Sequence, residues 1–330
     1  MNPNTVKPLN ILVTGAGGAA AIAFFKAVQH VEGLQVHMAD MDPHSTGLYL
    51  VPANRRCLLP PGAAADFSDR LLDYCLAHGI TIAIPTVDCE LAPVAAEQER
   101  FETAGIQLVL SPERALRVCY DKLWLMQSLE GEVELAAFTR FDDEFRPSEW
   151  EYPFVVKPRS GSGSRGVRIV KRLSDLNGID TDGRHLVQEY LPGAEYSVDV
   201  YVAGDGRVVA SVIRERIKVD SGIAVISKTV IDEEISELAA RIARLVGIRF
   251  VANIQFRRDR DGRPRLLEIN PRFPGTMSLT VAAGVNMPEL CLREARGDAL
   301  PKRLDYAALA MVRNWQETFL PVSEFMSAAE

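Results

Sequence analysis

Residues 251–272, VANIQFRRDRDGRPRLLEINPR, admit few folds. Two segments of period-2 alternation flank Asp261-Gly262, a pair preferred in a two-residue type I′ hairpin turn because both central residues need positive φ. A turn there predicts the register. Arg260 faces Arg263, Gln255 faces Glu268, and Asn253 faces Asn270, with Pro264 opposite Asp259 where no ladder donor is required. Alternation then puts Asn253, Gln255, Glu268 and Asn270 on one face and Ile254, Phe256, Leu267 and Ile269 on the other. Such a pair reads in one of two ways. It is a half-exposed sheet with its polar side in water, or a set of hard oxygen ligands suited to Mg²⁺, which one or two carboxylates usually hold while phosphates and water complete the shell. Arg272 follows two residues on, within reach of the same phosphates.

The N-terminal third alternates strand and helix. Strands are predicted at 10–14, 34–39, 81–84 and 106–110, with helices at 18–31, 67–78 and 90–104. That pattern implies a parallel sheet with right-handed crossovers. Ser111 and Pro112 read as N-cap and first residue of a further helix. The apolar run 15–25 follows Lys7, but the strand before it makes a βα unit the expected reading over a signal peptide. Gly15-x-Gly17-x-x-Ala20, with Asp40 closing the next strand, is close to a dinucleotide fingerprint and supports an NAD(P)-dependent oxidoreductase or epimerase as an alternative. A tight βα turn needing glycine explains the same residues. Glu90 is a candidate for an amino group, or a helix N-terminal acid favoured by the dipole.

The middle of the chain carries a series of phosphate-compatible features. Asp121-Lys122 opens an amphipathic helix. Lys157 is embedded in an apolar strand at 153–158, and a lysine is rarely buried without a partner. The loop Ser160-Gly161-Ser162-Gly163-Ser164-Arg165-Gly166 leads into a strand at 167–170, and backbone N–H groups in such a loop can cradle phosphate oxygens. Residues 141–150 read as a loop. Strands follow at 186–191, 195–202, 207–217 and 224–229, and a helix at 233–246. Arg214, Arg216 and Lys228, around a charged loop at 219–222, are further candidates for phosphate or substrate carboxylate.

Asn-x-Gln on one strand and Glu-x-Asn-Pro-Arg on the next resemble the metal-binding core of ATP-grasp enzymes, in particular the carbamoyl-phosphate synthetase-like branch. The resemblance covers about residues 10–296 and rests on the order of its parts more than on any one of them. It implies an α/β fold, α+β in its C-terminal part. A Rossmann-like domain (1–112) would precede a two-part ATP-grasp fold, with a lid at 113–188 and a C-terminal subdomain at 189–330. It implies that Gln255, Glu268 and Asn270 hold Mg²⁺ (or Mn²⁺ in its place) bridging ATP phosphates, and that Arg272 and Lys157 are catalytic. Lys122, Lys157, Ser160, Gly161, Ser162, Gly163 and Gly166 would contact phosphates. Glu189, Tyr190 and Leu191 would flank the adenine, and Glu195 would bind the ribose. The expected reaction is ATP-dependent joining of a carboxylate to an amine, both small and amino-acid-like, through an acyl phosphate, with release of ADP and phosphate. A small-molecule kinase on the same core is an alternative. With a single core, carbamoyl phosphate is not the expected product, and a homodimer is a family-level expectation.

Composition agrees with that class. The net charge of −7 argues against a nucleic-acid partner, which usually meets a basic footprint. The five cysteines are scattered, without C-x-x-C, as suits reduced thiols in a cytoplasm more than disulfides or zinc. No apolar run approaches the length of a membrane span, so no membrane partner is expected.

Overall fold

A computed structural model describes residues 9–161, 163 and 165–326. The first part runs β1 (Leu9–Val13), α1 (Ala19–Val28), β2 (Leu34–Asp40), β3 (Arg56–Leu58), α2 (Phe67–Ala77), β4 (Ile82–Ile84), α3 (Asp88–Ala96), α4 (Gln98–Thr103) and β5 (Gln107–Leu108). Its five strands are parallel, in the order β3-β2-β1-β4-β5. Strand order reverses beside β1 and β4, where open parallel sheets present ligands at the strand C-termini. The Gly15 turn and the 86–90 segment lie there. The helix expected over 90–104 is two helices, broken at Glu97. Ser111 is not a helix cap. Its Oγ accepts from Arg249 N (3.0 Å) and donates to the Arg249 carbonyl (3.1 Å), tying the end of this part to the rest of the chain.

Two helices follow, α5 (Glu113–Tyr120) and α6 (Lys122–Leu129). Asp121 caps α6 by accepting from Leu123 N and Trp124 N, which leaves Lys122 in its first turn. An antiparallel four-stranded sheet comes next, from β6 (Phe138–Asp142), β7 (Phe154–Pro158), β8 (Arg168–Val170) and β9 (Asp182–Glu189), in the order β6-β9-β7-β8. Strand β6 overlaps the start of the loop expected at 141–150. It is an edge strand held by two phenylalanines: Phe141 packs with Phe154 and Val187 in a small core, and Phe138 packs against the cluster that includes Leu125 and Met126 of α6.

The last sheet is antiparallel, from β10 (Glu195–Val202), β11 (Val208–Asp220), β12 (Ile223–Thr229), β13 (Phe250–Arg258), β14 (Pro264–Asn270) and β15 (Ala310–Val312), in the order β14-β13-β10-β11-β12-β15. Strand β11 runs three residues past its expected end, so the charged loop is a tight turn at Ser221-Gly222. Helix α7 (Glu233–Val246) lays Ile235, Ala239, Ile242 and Ala243 on one face of this sheet. It is an amphipathic helix with an Asp232 cap and a left-handed Gly247 at its end, as its sequence requires. Helices α8 (Met277–Ala282) and α9 (Met287–Ala295) contact α1. One core therefore runs from Ile11 and Phe24 through Phe273, Met277 and Met287 to Tyr201 and Val251. Phe24 and Phe273 meet edge to face with centroids 5.0 Å apart, worth about 0.5–1.5 kcal/mol beyond the area they bury.

The β13–β14 hairpin has the expected pairs Gln255–Glu268 and Asn253–Asn270, but reaches them differently. The turn is not two-residue type I′. Asp259 N donates to the Arg263 carbonyl (2.9 Å) and Gly262 N to the Asp259 carbonyl (3.2 Å), enclosing Arg260, Asp261 and Gly262. Gly262 alone of these has positive φ, +79°, as in three-residue hairpin loops. Pro264 consequently pairs with Arg258, not Asp259, and Leu266 takes the buried position opposite Phe256. The extra residue is Leu267, bulged out between Leu266 and Glu268, which restores the expected register beyond it. Leu267 thus leaves the apolar face on which alternation placed it.

Candidate active site

Two clefts meet at the hairpin. The larger, about 720 Å³, lies between the C-terminal edge of the parallel sheet and the polar face of β13 and β14. The smaller, about 190 Å³, lies between the two antiparallel sheets. Gln255 and Glu268 line both, so a molecule in one cleft can meet a molecule in the other at these two side chains.

The smaller cleft gathers Lys122, Lys157, Ser160, Gly161, Glu189, Tyr190, Leu191, Glu195, Gln255 and Glu268. Gly163 lies on the larger cleft, and Gly166 packs over Pro158 at the foot of the 160–166 loop. Ser162 lies outside the described residues. Lys122 is buried; its Nζ donates to the Gly161 carbonyl (2.8 Å) and lies 3.5 Å from Glu268 Oε2. Lys157 is buried too. Its Nζ donates to Gln188 Oε1 (2.8 Å) and to the Leu267 carbonyl (3.2 Å), which the bulge has freed from the ladder. Burial pulls its pKa down to about 8, against the Glu268 carboxylate, which raises it. Two cationic side chains are therefore held around one carboxylate in a polar pocket, an arrangement that favours an anionic ligand.

Glu195 carries ion pairs to Arg216 Nε (2.7 Å) and Arg257 Nη1 (3.9 Å). Arg216 links the clefts: it lines the larger one while Glu195 lines the smaller. Glu189 uses its backbone N–H on the Ala137 carbonyl (2.9 Å), and its Oε2 accepts from Ala137 N (3.2 Å).

On the hairpin face Asn270 Nδ2 donates to Glu268 Oε1 (3.3 Å) and Gln255 Nε2 lies 3.5 Å from Asn253 Oδ1. Each carboxamide turns its N–H toward a neighbour, so its carbonyl oxygen is the acceptor left over. One carboxylate with two such oxygens suits Mg²⁺ completed by phosphate and water, and the donor set fits that ion. Among the described residues no three His, Cys, Asp or Glu converge as a metal site.

Two candidates, Arg214 and Lys228, are employed otherwise than expected, and a third, Glu90, keeps the helix-terminal reading. Arg214 is fully buried. Its Nε and Nη2 bond Asp199 (3.0 and 2.6 Å) and its Nη1 bonds Thr276 Oγ1 (2.5 Å), so it contacts no ligand. Thr280 Oγ1 (2.5 Å) and Asn253 Nδ2 (2.7 Å) also donate to Asp199. Lys228 pairs with Glu215 (3.1 Å). Glu90 is buried and accepts from Thr86 N and Val87 N (both 2.9 Å) and from Thr14 Oγ1, which makes it an internal cap of α3. Burial raises its pKa to about 7.

Arg272 is paired from an unexpected quarter. Its Nε and Nη2 donate to the two oxygens of Asp88 (2.6 and 2.9 Å), 184 residues away in the first part of the chain. Neither that partner nor the Gln188 contact to Lys157 carries a spacing signal in the sequence: the first joins separate parts of the chain, and the second depends on how β7 pairs with β9, with β8 intervening in the sequence. The Gly15 turn is also occupied: Gly17 N donates to Asp40 Oδ2 (2.7 Å), so the acid a dinucleotide ribose would need already serves the turn.

Residues 182–318 match a family model described as ATP-grasp in the biosynthetic pathway with Ter operon, and residues 11–109 match the PylC-like N-terminal domain. The arginine-specific carbamoyl phosphate synthase large chain of Bacillus subtilis is 28% identical over 255 residues, 71% of this chain and 24% of that protein. The D-alanine–D-alanine ligase of Thermotoga maritima is 30% identical over 126 residues, 37% of this chain and 42% of that one. The chain thus spans less than half the length of these two relatives. N5-carboxyaminoimidazole synthetase from Staphylococcus aureus, solved in complex with ADP, superposes with a TM-score of 0.73 at 16% identity, covering 90% of this chain and 80% of that one. Among the described residues no helix is long and apolar enough to cross a membrane.

Proposed function

This chain belongs to the ATP-grasp superfamily, and on that premise we propose that it is an ATP- and Mg²⁺-dependent carboxylate–amine ligase. The observation that carries the reading is the junction of the two clefts at Gln255 and Glu268, with buried Lys122 and Lys157 beside it. ATP fits the smaller cleft, its adenine flanked by Glu189, Tyr190 and Leu191, its ribose at Glu195, and its phosphates at Lys122, Lys157 and the 160–166 loop. The larger cleft takes the carboxylate and the amine. The division at 112 and 188 then has a working meaning: acceptor wall, lid, and metal-bearing sheet.

Gln255, Glu268 and Asn270 would hold Mg²⁺, which supplies charge neutralisation at the phosphates. Mn²⁺ has the same preference for oxygen ligands. The γ-phosphoryl group passes to a substrate carboxylate oxygen, giving an acyl phosphate and ADP. The amine nitrogen then bonds the acyl carbon, the C–O bond to phosphate breaks, and the amine loses its proton as phosphate leaves. No protein nucleophile is needed. Lys157 and Arg272 act by position and charge at the transferring group, and Lys122 holds the loop through the Gly161 carbonyl.

Calorimetry tests the reading with ATP and with NAD(H), each with and without Mg²⁺, on wild type and Glu268→Ala. The expected result is Mg²⁺-dependent ATP binding that the substitution weakens, with no NAD(H) signal. NAD(H) binding with silent ATP overturns it.

A further inference from the structure

We propose that Asp88 is the positioning residue for Arg272: the first part of the chain aims the guanidinium that serves phosphoryl transfer. The inference rests on the ligase reading and adds to it a residue outside the nucleotide-binding sheets.

A guanidinium has five N–H donors in a fixed planar fork. Two of Arg272's donors engage Asp88 side by side, a geometry that fixes the plane of the fork as well as its place. A third, on Nη1, points at the Phe273 carbonyl (3.4 Å). Two donors, one on each terminal nitrogen, are left for an anionic oxygen. Arg272 can therefore meet a phosphoryl group without releasing Asp88. Both side chains line the larger cleft, as do Glu268 and Asn270.

Asp88 is itself held firmly. It is the first residue of α3, and Glu90, two residues on, bonds the backbone of Thr86 and Val87. On the other side Phe273, next to Arg272, packs edge to face on Phe24 of α1. A Cβ on Gly275 would lie 2.8 Å from Ala19 Cβ, so the strand end that carries Arg272 abuts the first part of the chain closely. The carboxylate that aims Arg272 and the segment that carries it thus belong to one packed block. The same pairing sets a carboxylate beside the Arg272 guanidinium, so loss of Asp88 removes orientation without removing positive charge.

The test needs no knowledge of the substrates. Wild type, Asp88→Asn, Arg272→Ala and the double variant are saturated with ADP and Mg²⁺, and each is titrated with tetrafluoroaluminate, a mimic of the transferring phosphoryl group. A misaimed group costs on the order of 10²-fold. Asp88→Asn is expected to weaken tetrafluoroaluminate binding 10- to 100-fold while ADP affinity stays within twofold. Adding Asp88→Asn to Arg272→Ala is expected to change nothing further. Asp88→Ser is the second variant, and its thermal unfolding checks that the fold persists. A merely structural role would weaken ADP and tetrafluoroaluminate together, and that result overturns the proposal. Multiplying effects in the double variant overturn it as well, as does a wild type that takes ADP but no tetrafluoroaluminate. A wild type that binds no ADP sinks the ligase reading itself, and this inference with it.

Discussion

Gly163 and Gly222 touch across the mouth of the larger cleft. A Cβ on Gly222 would lie 2.7 Å from the Gly163 Cα, and both residues have positive φ, +71° and +82°. Gly163 of one sheet's loop thereby lies against the β11–β12 turn of the other, at a spacing that leaves no room for a side chain on Gly222. Arg216 joins the contact to the smaller cleft, since its Nη2 donates to the Gly222 carbonyl (3.1 Å) while its Nε pairs with Glu195, which lines that cleft.

Gly222→Ala should therefore weaken nucleotide binding through loop closure. ADP affinity with Mg²⁺ is expected to fall about tenfold, which is about 1.4 kcal/mol. Gly131→Ala is the control, because Gly131 also has positive φ (+78°) but has nothing within 4 Å of an added Cβ. It should cost about 1–2 kcal/mol of stability and leave ADP affinity alone. Calorimetry on both variants checks the pair of outcomes, and equal ADP affinities would refute the closure argument.

The Asp199–Arg214 pair should be the most sensitive ionic contact in the protein. Both side chains are wholly buried, and Thr276, Thr280 and Asn253 complete the network. Asp199→Asn leaves a buried guanidinium without its counter-charge, and is expected to cost about 3–5 kcal/mol in urea unfolding. Lys228→Ala breaks an exposed pair with Glu215 and should cost under about 1 kcal/mol.

Lys157 gives nucleotide binding a pH dependence. Burial lowers its folded pKa to about 8 from the ordinary 10.5. On the proposed assignment of Lys157 to the phosphates, the ammonium that would attract them disappears as pH rises through about 8, and ADP affinity should fall between pH 7 and 9. Lys157→Met should bind weakly and show a flatter profile. The stability sign runs the other way. Between about 8 and 10.5 the unfolded chain holds a proton that the folded chain does not, so this residue's contribution to stability rises with pH across that window. Urea unfolding of wild type and Lys157→Met from pH 7.5 to 10 should show the difference.

Glu90 works in the opposite window. Its folded pKa is raised to about 7 by burial, above the ordinary 4.5. Its contribution is full below pH 4.5 and is lost as pH rises through 7, because ionisation is easier in the unfolded chain. Glu90→Gln keeps an acceptor for Thr86 N and Val87 N and removes the titration. Measured between pH 5 and 8, the variant should lose less stability than wild type, by about 1–3 kcal/mol. Identical pH profiles would show that Glu90 does not titrate in this range.

Local pattern determined much of this protein. Period-2 alternation put Gln255, Glu268 and Asn270 on one face of the two-strand hairpin, and the strand–helix rhythm of the first 110 residues required a parallel sheet. Helix α7 has the bounds expected of it, 233–246, and its Asp232 cap and left-handed Gly247 fix those ends locally, while its buried stripe of Ile235, Ala239, Ile242 and Ala243 is set by the sheet it covers. The hairpin shows the limit of such reasoning. Its register beyond the bulge agrees with the sequence reading, yet the turn type and the facing of Leu266 and Leu267 do not, because a three-residue loop and a bulge offset each other. Tertiary structure alone decided which charges were already spent. Arg214, Lys228 and Arg272 are alike in sequence as exposed-looking cations. Pairing of neighbouring strands buries the first with Asp199 and sets the second opposite Glu215, and only the packing of a distant segment sets the third against Asp88. A charge's partner depends on separations in space of a few ångströms, and for Arg272 and Asp88, 184 positions apart, no periodic signal in the sequence carries that proximity.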